Sequence, residues 1–225
     1  WDGGHYTIKN KGTFTTASYN VDGLPNIEVN LLVTKIQLNP DGPLEDGTNS
    51  ISQKLAADAW DIIAFQEDFN FHDNLISSMK DIYTFGQHRG TVDAKQLLST
   101  ADTDGLGFAT LSSKTSFSGE TIVKFNDAYG DVFDGANTCV KKGFRYYTVT
   151  LKGGAEIDVY VTHMNSGNDS GHISARQSQF KQLAEYIVAH DNGRPVLILG
   201  DFNARYTRDN IQTNFHDNLG DFAKY

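Results

Sequence analysis

Cysteine is almost absent from this chain, which has only Cys139 among its 225 residues. A disulfide within these residues is therefore excluded, and so is a cysteine-rich zinc site. No apolar run approaches the roughly 20 residues that a membrane-spanning helix needs. Basic residues are also few, since 19 lysines and arginines stand against 28 aspartates and glutamates, which gives a formal net charge of -9. This charge disfavours a protein that holds nucleic acid by bulk electrostatic attraction, but it is compatible with an enzyme that contacts a few phosphates through a metal ion.

The length of the chain allows one sizeable hydrophobic core, so we expect a single globular domain over residues 1–225. The first residue is Trp1 and not methionine. We therefore expect that an upstream segment was removed, either a secretion signal or a sequence added for expression, and we favour secretion. We also expect the chain to act as a monomer.

One apolar stretch organises the chain: residues 196–199, which follow Pro195 and end at Gly200. Its branched side chains do not alternate with polar ones, which predicts a core strand covered on both faces. Gly200 permits a sharp turn, and Asp201 and Asn203 then leave on one face of an extended segment. A carboxylate beside an amide suits a phosphate and a metal ion. An ordinary Asp/Asn turn at the end of a strand explains this segment equally well.

Further strands are predicted from β-forming residues between turn signals, at residues 14–21, 62–67 and 105–111. The clearest hairpin pairs residues 144–151 with residues 156–163. Strands that alternate with helices, together with this hairpin, predict an α/β layered fold.

Helical spacing of apolar residues predicts three helices. The first runs from a capping box at residues 50–53 to about Trp60, and the second covers residues 72–80. The third has an apolar face made of Phe180, Leu183, Ala184, Ile187 and Val188. Residues 39–49 and 83–104 are expected to be loops, and residues 112–137 are expected to be strand fragments and turns.

Polar side chains stand at or just after the ends of the predicted strands: Asn20, Glu67, His163, Asp201 and Asn203. Strand ends are where sites gather in α/β folds, so we expect these groups to converge. Taken singly, each has an ordinary explanation, such as a turn residue for Asn20 and a solvated charge for Glu67. These two offer oxygen ligands, and no two histidines stand at metal-ligand spacing. Mg²⁺ is therefore favoured, Ca²⁺ or Mn²⁺ comes next, and zinc is disfavoured.

The order of the motifs in this chain resembles the endonuclease/exonuclease/phosphatase superfamily. The motifs are Ser18-Tyr19-Asn20-Val21, Phe65-Gln66-Glu67, Gly105-Leu106-Gly107-Phe108-Ala109, Val161-Thr162-His163 and Leu199-Gly200-Asp201-Phe202-Asn203. The resemblance implies the deoxyribonuclease I-like fold, a four-layer α/β/β/α sandwich of two mixed sheets. It also implies cleavage of phosphoesters with a divalent cation. Lys142-Gly143-Phe144 looks most like the bacterial sphingomyelinase branch.

The resemblance implies a role for each of these polar side chains. Glu67, with Asn20 close by, would hold Mg²⁺ against a phosphate oxygen, and Asp201 would orient or activate the attacking water. Asn203 and His163 would hydrogen-bond the phosphate. A cation and fixed donors stabilise the negative charge that grows on a phosphorane-like transition state.

One departure from the family pattern concerns its final Ser-Asp-His motif, which these residues lack. His216 is the only histidine after Asp201, but residues 214–218 are expected to form a polar loop or a helix cap. We therefore do not assign the missing acid/base role to His216. We expect either that the natural protein continues past Tyr225 or that this chain is a fragment that lacks one catalytic group. In both cases we expect these residues to lack the C-terminal strands and to be nearly inactive.

Three functions are compatible with these residues. The leading one is a secreted, metal-dependent phosphodiesterase that acts on a nucleic acid, or on a phospholipid headgroup with peripheral membrane contact. The first alternative is a phosphomonoesterase for a soluble or inositol phosphate, with Arg89 and Lys95 as candidate anion contacts, although we favour solvated loop charges for these two residues. The second is a phosphate-binding module without turnover.

Overall fold

The structure is a computed structural model, and it describes residues 13–31, 34–38, 41–93, 101–131 and 137–219. Its strands are β1 Thr16–Asn20, β2 Ile27–Leu31, β3 Thr34–Leu38, β4 Ile62–Gln66, β5 Tyr83–Phe85, β6 Leu106–Leu111, β7 Thr115–Lys124, β8 Gly143–Leu151, β9 Glu156–His163 and β10 Val196–Asp201. Its helices are α1 Leu44–Asp58, α2 His72–Ile76, α3 Ser170–Ala189 and α4 Asp217–Leu219, with a π-helical segment at Gln212–His216 before α4. None of the helices in these ranges is long and apolar enough to cross a membrane.

Two larger sheets form the centre of the fold. The first has the strand order β1-β4-β6-β5 and the second the order β10-β9-β8-β7, while β2 and β3 pair separately as a hairpin. Within these sheets β1 is parallel to β4 and β10 is parallel to β9. The remaining pairs are antiparallel. Both sheets are therefore mixed, and with helices on the outer faces they form the expected α/β/β/α sandwich.

Strand β4 shows how the layers are held together, because every one of its residues is buried. Successive side chains of a strand point to opposite faces. Ile62 and Ala64 accordingly join the core between the two sheets. Ile63 and Phe65 join a second core, which contains Leu55 of α1. A central strand covered on both faces needs an apolar run without alternation, as residues 62–65 provide.

The predicted strand at residues 196–199 is confirmed as part of β10, and both of its faces are covered. Leu197 and Leu199 pack in the core between the sheets. Val196 and Ile198 pack in the core beneath α3. Among the described strands β10 pairs only with β9, at the edge of its sheet. Its side chains other than Leu199 are for this reason only half-buried.

Helix α1 shows that the expected loop at residues 39–49 and the expected capping box at residues 50–53 were wrong. The helix begins at Leu44, and acidic residues in its first turn favour the positive end of the helix dipole. Ser50 lies in the second turn, where its hydroxyl donates to the Asp46 carbonyl oxygen at 3.0 Å. A hydroxyl that bonds back within the helix does not cap its start.

Strand β7 is one long strand inside residues 112–137, where we expected strand fragments and turns. The strand has ten residues, with a shift in register between Ser118 and Thr121. Gly119, at a φ of +70°, lies in this irregularity. A bulge breaks the alternation of side chains, which is why the sequence pattern looked fragmented. Strand β5 likewise lies inside the expected loop at residues 83–104, and the β2–β3 hairpin had not been predicted.

The predicted hairpin is confirmed by β8 and β9, and the predicted third helix is confirmed by α3. Asp169 caps α3, because its carboxylate accepts from the backbone amides of Gly171 and His172 at 2.9 and 3.1 Å. Val188 does not belong to the buried face, since 44% of it is exposed. Each helical residue turns about 100° from the one before, which carries Val188 away from the core that holds Ile187.

Two shorter segments also differ from the sequence expectation. Helix α2 covers only His72–Ile76, instead of residues 72–80. Residues 214–218 belong to the π-helical segment and to α4, and not to a polar loop. Phe215 is buried beneath α3 in this segment, so its apolar packing outweighs the polar character of its neighbours.

A buried ion pair fixes the segment after β10 to helix α3. Arg176 and Asp209 are fully buried, and their Nε and Oδ1 atoms are 2.7 Å apart. Arg176 also donates to the carbonyl oxygens of Asn165 and Gly167 at 2.8 and 2.7 Å. The other Asp209 oxygen accepts from the Arg205 amide at 2.9 Å. Asp209 therefore joins several parts of the chain in one network.

We predict that Asp209→Ala destabilises the protein by about 3–5 kcal/mol, because it leaves the buried Arg176 charge unpaired. The matched control is Lys181→Ala on α3, the helix that carries Arg176, because the ion pair of Lys181 with Glu185 is exposed. The control should change the free energy of unfolding by less than about 1 kcal/mol. Urea unfolding followed by circular dichroism measures both values, and equal effects would contradict the prediction.

Candidate active site

The predicted site residues converge at one edge of the sandwich, where β1, β4, β9 and β10 end. The Asn20 amide Nδ2 donates to Glu67 Oε1 at 2.8 Å and to Asp201 Oδ2 at 3.3 Å. His163 Nε2 lies 3.9 Å from Glu67 Oε1 and 4.0 Å from Asp201 Oδ2. Asn203 reaches this cluster through His163, because Asn203 Nδ2 lies 3.2 Å from His163 Nε2. The fold thus brings all of them together, because strands from both sheets end at this edge.

The Asn20 side chain presents its nitrogen to the carboxylates, and not its oxygen. Its Oδ1 accepts from the Asp22 backbone amide at 3.0 Å, which fixes the orientation of the amide. The nitrogen can then bond to both Glu67 and Asp201. Asn20 therefore holds two like charges near each other with a neutral donor.

His163 is 5% exposed, and its Nε2 acts as a hydrogen-bond acceptor. Lys142 Nζ lies 3.3 Å from this atom, and Asn203 Nδ2 lies 3.2 Å from it. Both donors also bond to the Met164 carbonyl oxygen, at 3.0 and 3.1 Å. An ammonium and an amide nitrogen only donate, so the ring proton is on Nδ1. Burial, followed by the charge of Lys142, holds the pKa of His163 well below its usual range.

Lys142 is a functional candidate that we did not predict as a site residue. It is buried, and burial lowers its pKa to about 8, while the carboxylates of Glu67 and Asp201 oppose that shift. The signal for it is the register of the hairpin, in which Phe144 pairs with Thr162. This register brings the residue before β8 next to the last residue of β9. Pairing the strands in register would have found Lys142 from the sequence.

Glu67 is in an unfavourable place for a lone carboxylate. Burial raises its pKa, the Asn20 hydrogen bond and the charge of Lys142 lower it, and Asp22 and Asp201 raise it again. Its backbone is in the left-handed region with a φ of +58°. The carboxylates of Glu67 and Asp201 carry two negative charges, and the neighbouring Lys142 ammonium carries one positive charge, so excess negative charge remains. This donor set fits a hard divalent cation such as Mg²⁺.

A cavity of about 540 Å³ opens beside this cluster, lined by Ser18, Asn20, Gln66, Gly200, Asp201, Phe202, Asn203, Ala204, Arg205 and Arg208. Gln66 Nε2 is buried and has no hydrogen-bond partner within the part of the chain that the structure describes. Arg208 donates to the Asn203 carbonyl oxygen at 2.7 Å, which fixes the segment that carries the amide. Polar donors and guanidinium groups make this cavity suitable for an anionic group.

Other residues considered in the sequence analysis lie elsewhere. Arg89 Nη2 lies 3.5 Å from Asp102 Oδ1, so this arginine takes part in a surface ion pair. Lys95 lies outside the described residues. The His216 ring, in the π-helical segment, lies 6.0 Å from the ring of Tyr206.

Comparison with known proteins bears on the family and on the fold. The sequence pattern of the Endonuclease/Exonuclease/phosphatase family matches residues 17–219. A sphingomyelinase from Mycobacterium tuberculosis is 29% identical over 199 residues, which cover 88% of this chain and 35% of that protein. The chain therefore spans about a third of the length of the curated relatives that it matches.

Solved structures with the same fold include a beta toxin variant from Staphylococcus aureus with bound magnesium ions. It is 20% identical, with a TM-score of 0.67, and the match covers 92% of this chain and 70% of that one. TDP2 from D. rerio, complexed with a single-strand DNA product, is 17% identical with a TM-score of 0.62, covering 89% and 64%. The structural likeness establishes the fold, and the sequence match establishes that this chain belongs to the Endonuclease/Exonuclease/phosphatase family.

Proposed function

We propose that this chain is a metal-dependent phosphodiesterase that acts on a phospholipid headgroup. The observation that carries this proposal is the pair of carboxylates, Glu67 and Asp201, which share the Asn20 amide as a hydrogen-bond donor. Carboxylates held at this spacing beside amide and ammonium donors suit the binding of a divalent cation and a phosphate together.

Mg²⁺ is the ion that we propose, with Mn²⁺ and Ca²⁺ as alternatives, because the acidic side chains offer oxygen ligands. Glu67 would hold it, and Asn20 would keep the Glu67 oxygen in place through its amide nitrogen instead of serving as a direct ligand. The ion, when bound, supplies Lewis-acid stabilisation of a phosphate oxygen. The magnesium ions bound to the beta toxin variant support this choice.

The remaining side chains would orient the water and the phosphate. Asp201 Oδ1 accepts from the Asn203 backbone amide at 3.0 Å, which fixes the carboxylate that we propose for orienting the attacking water. The donors for the phosphate are the Lys142 ammonium and the Asn203 amide, whose nitrogen would exchange its bond to His163 or to the Met164 carbonyl oxygen for the phosphate. His163 accepts from both at Nε2, and its lowered pKa keeps this atom unprotonated, so we propose that His163 positions these two donors and contacts the phosphate through them.

A phospholipid headgroup is favoured over a nucleic acid by two observations. The curated relatives that match most of this chain are sphingomyelinases. The net charge of -9 also disfavours a long phosphate backbone as a substrate. Peripheral membrane contact, secretion and a monomeric state stay predictions.

Turnover assays distinguish these functions. Chelator-treated protein with added Mg²⁺ should hydrolyse bis(p-nitrophenyl) phosphate faster than p-nitrophenyl phosphate, and sphingomyelin vesicles faster than single-stranded DNA. A preference for the monoester would favour the phosphomonoesterase. Binding of phosphate without turnover of any substrate would favour the binding module.

We predict that Glu67→Gln loses Mg²⁺ binding and lowers diester hydrolysis by at least about 10²-fold, because the charged oxygen ligand is gone. Glu185→Gln on the exposed face of α3 is the matched control and should leave both unchanged. Calorimetric titration with Mg²⁺ measures binding independently of turnover. Unchanged Mg²⁺ affinity in Glu67→Gln would refute the assignment of Glu67.

We predict that Lys142→Met lowers the rate by about 10²–10³-fold, as expected for loss of a donor that stabilises transition-state charge. The neighbouring Lys141→Met is the control, since Lys141 is half-exposed and pairs with Asp102 on the surface. Residual activity equal to that of the control would exclude Lys142 from the reaction.

The pKa of Lys142 also predicts a pH dependence. Because its pKa is lowered to about 8, the ammonium charge is present below that pH and is lost as the pH rises through it. The rate should therefore fall above about pH 8. Lys142→Arg should keep its charge and lose less activity on the alkaline side. Identical alkaline profiles for the two proteins would contradict the prediction.

A further inference from the structure

A second group of potential metal ligands lies outside the cluster described above. One ligand atom each from Asp68, His72 and His88 lies within 4.8 Å of the other two. Asp68 directly follows Glu67 in sequence, but its carboxylate bonds to His72, whereas that of Glu67 bonds to Asn20. The group is therefore a separate constellation that shares a loop with the candidate active site.

The backbone around Asp68 holds its carboxylate in place. The Asp68 amide donates to the Gly105 carbonyl oxygen at 2.9 Å, which ties the loop to the segment before β6. Gly107 lies beside the carboxylate, and a Cβ atom there would come within 2.6 Å of Asp68 Oδ2. Glycine at this position leaves the room that the carboxylate occupies.

The histidines come from different elements and meet face to face. His72 is the first residue of α2, and its ring stacks on that of His88 with centroids 4.1 Å apart and an interplanar angle of 9°. His88 Nε2 lies 2.9 Å from the Phe69 carbonyl oxygen, which anchors its ring to the same loop. Both side chains are half-buried, so an ion from solvent can reach them.

The buried charge of Asp68 calls for a cation. Asp68 is 2% exposed, and both of its oxygens contact His72 Nδ1, at 2.8 and 3.1 Å. A buried carboxylate is costly unless a positive charge or several donors compensate it. Burial lowers the pKa of His88, which favours the neutral imidazole that binds metals.

We propose that Asp68, His72 and His88 form a binding site for a borderline transition-metal ion, Zn²⁺ first, distinct from the hard-cation site at Glu67. Imidazole and carboxylate together suit Zn²⁺, Co²⁺ or Mn²⁺, whereas Mg²⁺ prefers oxygen ligands alone. The site leaves coordination positions for water. Its histidines are too far apart in sequence to show metal-ligand spacing, so only the fold reveals it.

Binding requires a small rearrangement of side chains. Zn²⁺ takes imidazole nitrogens at about 2.0–2.1 Å, so the ligand atoms, which lie within 4.8 Å of one another, must draw together. Rotation of the two imidazole rings would draw them together. Because Asp68 follows Glu67, the ion would also fix the loop that carries the Glu67 carboxylate.

The test measures metal binding without an assay of turnover. Chelator-treated protein is titrated with Zn²⁺ by calorimetry and with Co²⁺ by visible absorption, whose intensity reports the coordination geometry. We expect one Zn²⁺ site in the wild type and a loss of affinity on the order of 10–100-fold in His72→Gln and in His88→Gln. His190→Gln is the matched control, since His190 is exposed and stacks on Tyr186 at the end of α3.

Two further variants separate this site from the candidate active site. Glu67→Gln should keep the Zn²⁺ affinity, and Asp68→Asn should reduce it, with circular dichroism confirming that each variant is folded. Affinity that is unchanged in all Asp68, His72 and His88 variants would mean an adventitious ion only, and would overturn the proposal. Affinity lost in Glu67→Gln but kept in His88→Gln would overturn it as well, because the ion would then belong to the Glu67 cluster.

Discussion

The candidate site depends on the approach of two negative charges from different sheets. Glu67 follows a strand of the first sheet and Asp201 ends a strand of the second, and like charges at this distance repel each other in a partly buried place. The Asn20 amide donates to both, and the Lys142 ammonium lies near both. An electrostatic cost of this kind is compensated when a divalent cation binds, which makes the arrangement suitable for a metal-assisted reaction.

Several constraints outside the cluster keep these groups in position. Glu67 and Asn203 both have φ in the left-handed region, at +58° and +50°. Such conformations cost about 1–3 kcal/mol and persist only where surrounding contacts impose them. At Asn203 the contact comes from Arg208, which donates to the Asn203 carbonyl oxygen and is itself held by Asp209. At Glu67 it comes from the next residue, since the Asp68 amide donates to the Gly105 carbonyl oxygen. These contacts thus hold the side chains of the candidate site in conformations that cost stability.

The loop from Glu67 to His72 connects two different kinds of ligand chemistry. On one side Glu67 offers a carboxylate among amide and ammonium groups, which suits a hard cation. On the other side Asp68 faces imidazoles, which suits a softer ion. The carboxylates of these adjacent residues reach different partners, because that of Glu67 bonds to Asn20 and that of Asp68 bonds to His72. An ion bound by Asp68 would therefore limit the movement of the neighbouring Glu67 carboxylate.

The sequence by itself determined the layered fold and the candidate residues, because both are local signals. An apolar run at residues 62–65, alternation along the hairpin, and polar groups at strand ends can each be interpreted without knowing their partners. The start of α1 and the long strand β7 were missed, because a back-bonded Ser50 and a bulge at Gly119 disguise the local pattern.

Only the tertiary structure decided which groups meet. The hairpin register places Lys142 beside the end of β9, but its approach to Glu67 depends on the packing of the two sheets. The orientation of the Asn20 amide depends on a backbone donor at Asp22, and the stacking of His72 on His88 depends on the packing of α2 against a distant loop. Such contacts join residues far apart in the chain, and their geometry arises from the packing of whole elements and not from local propensity.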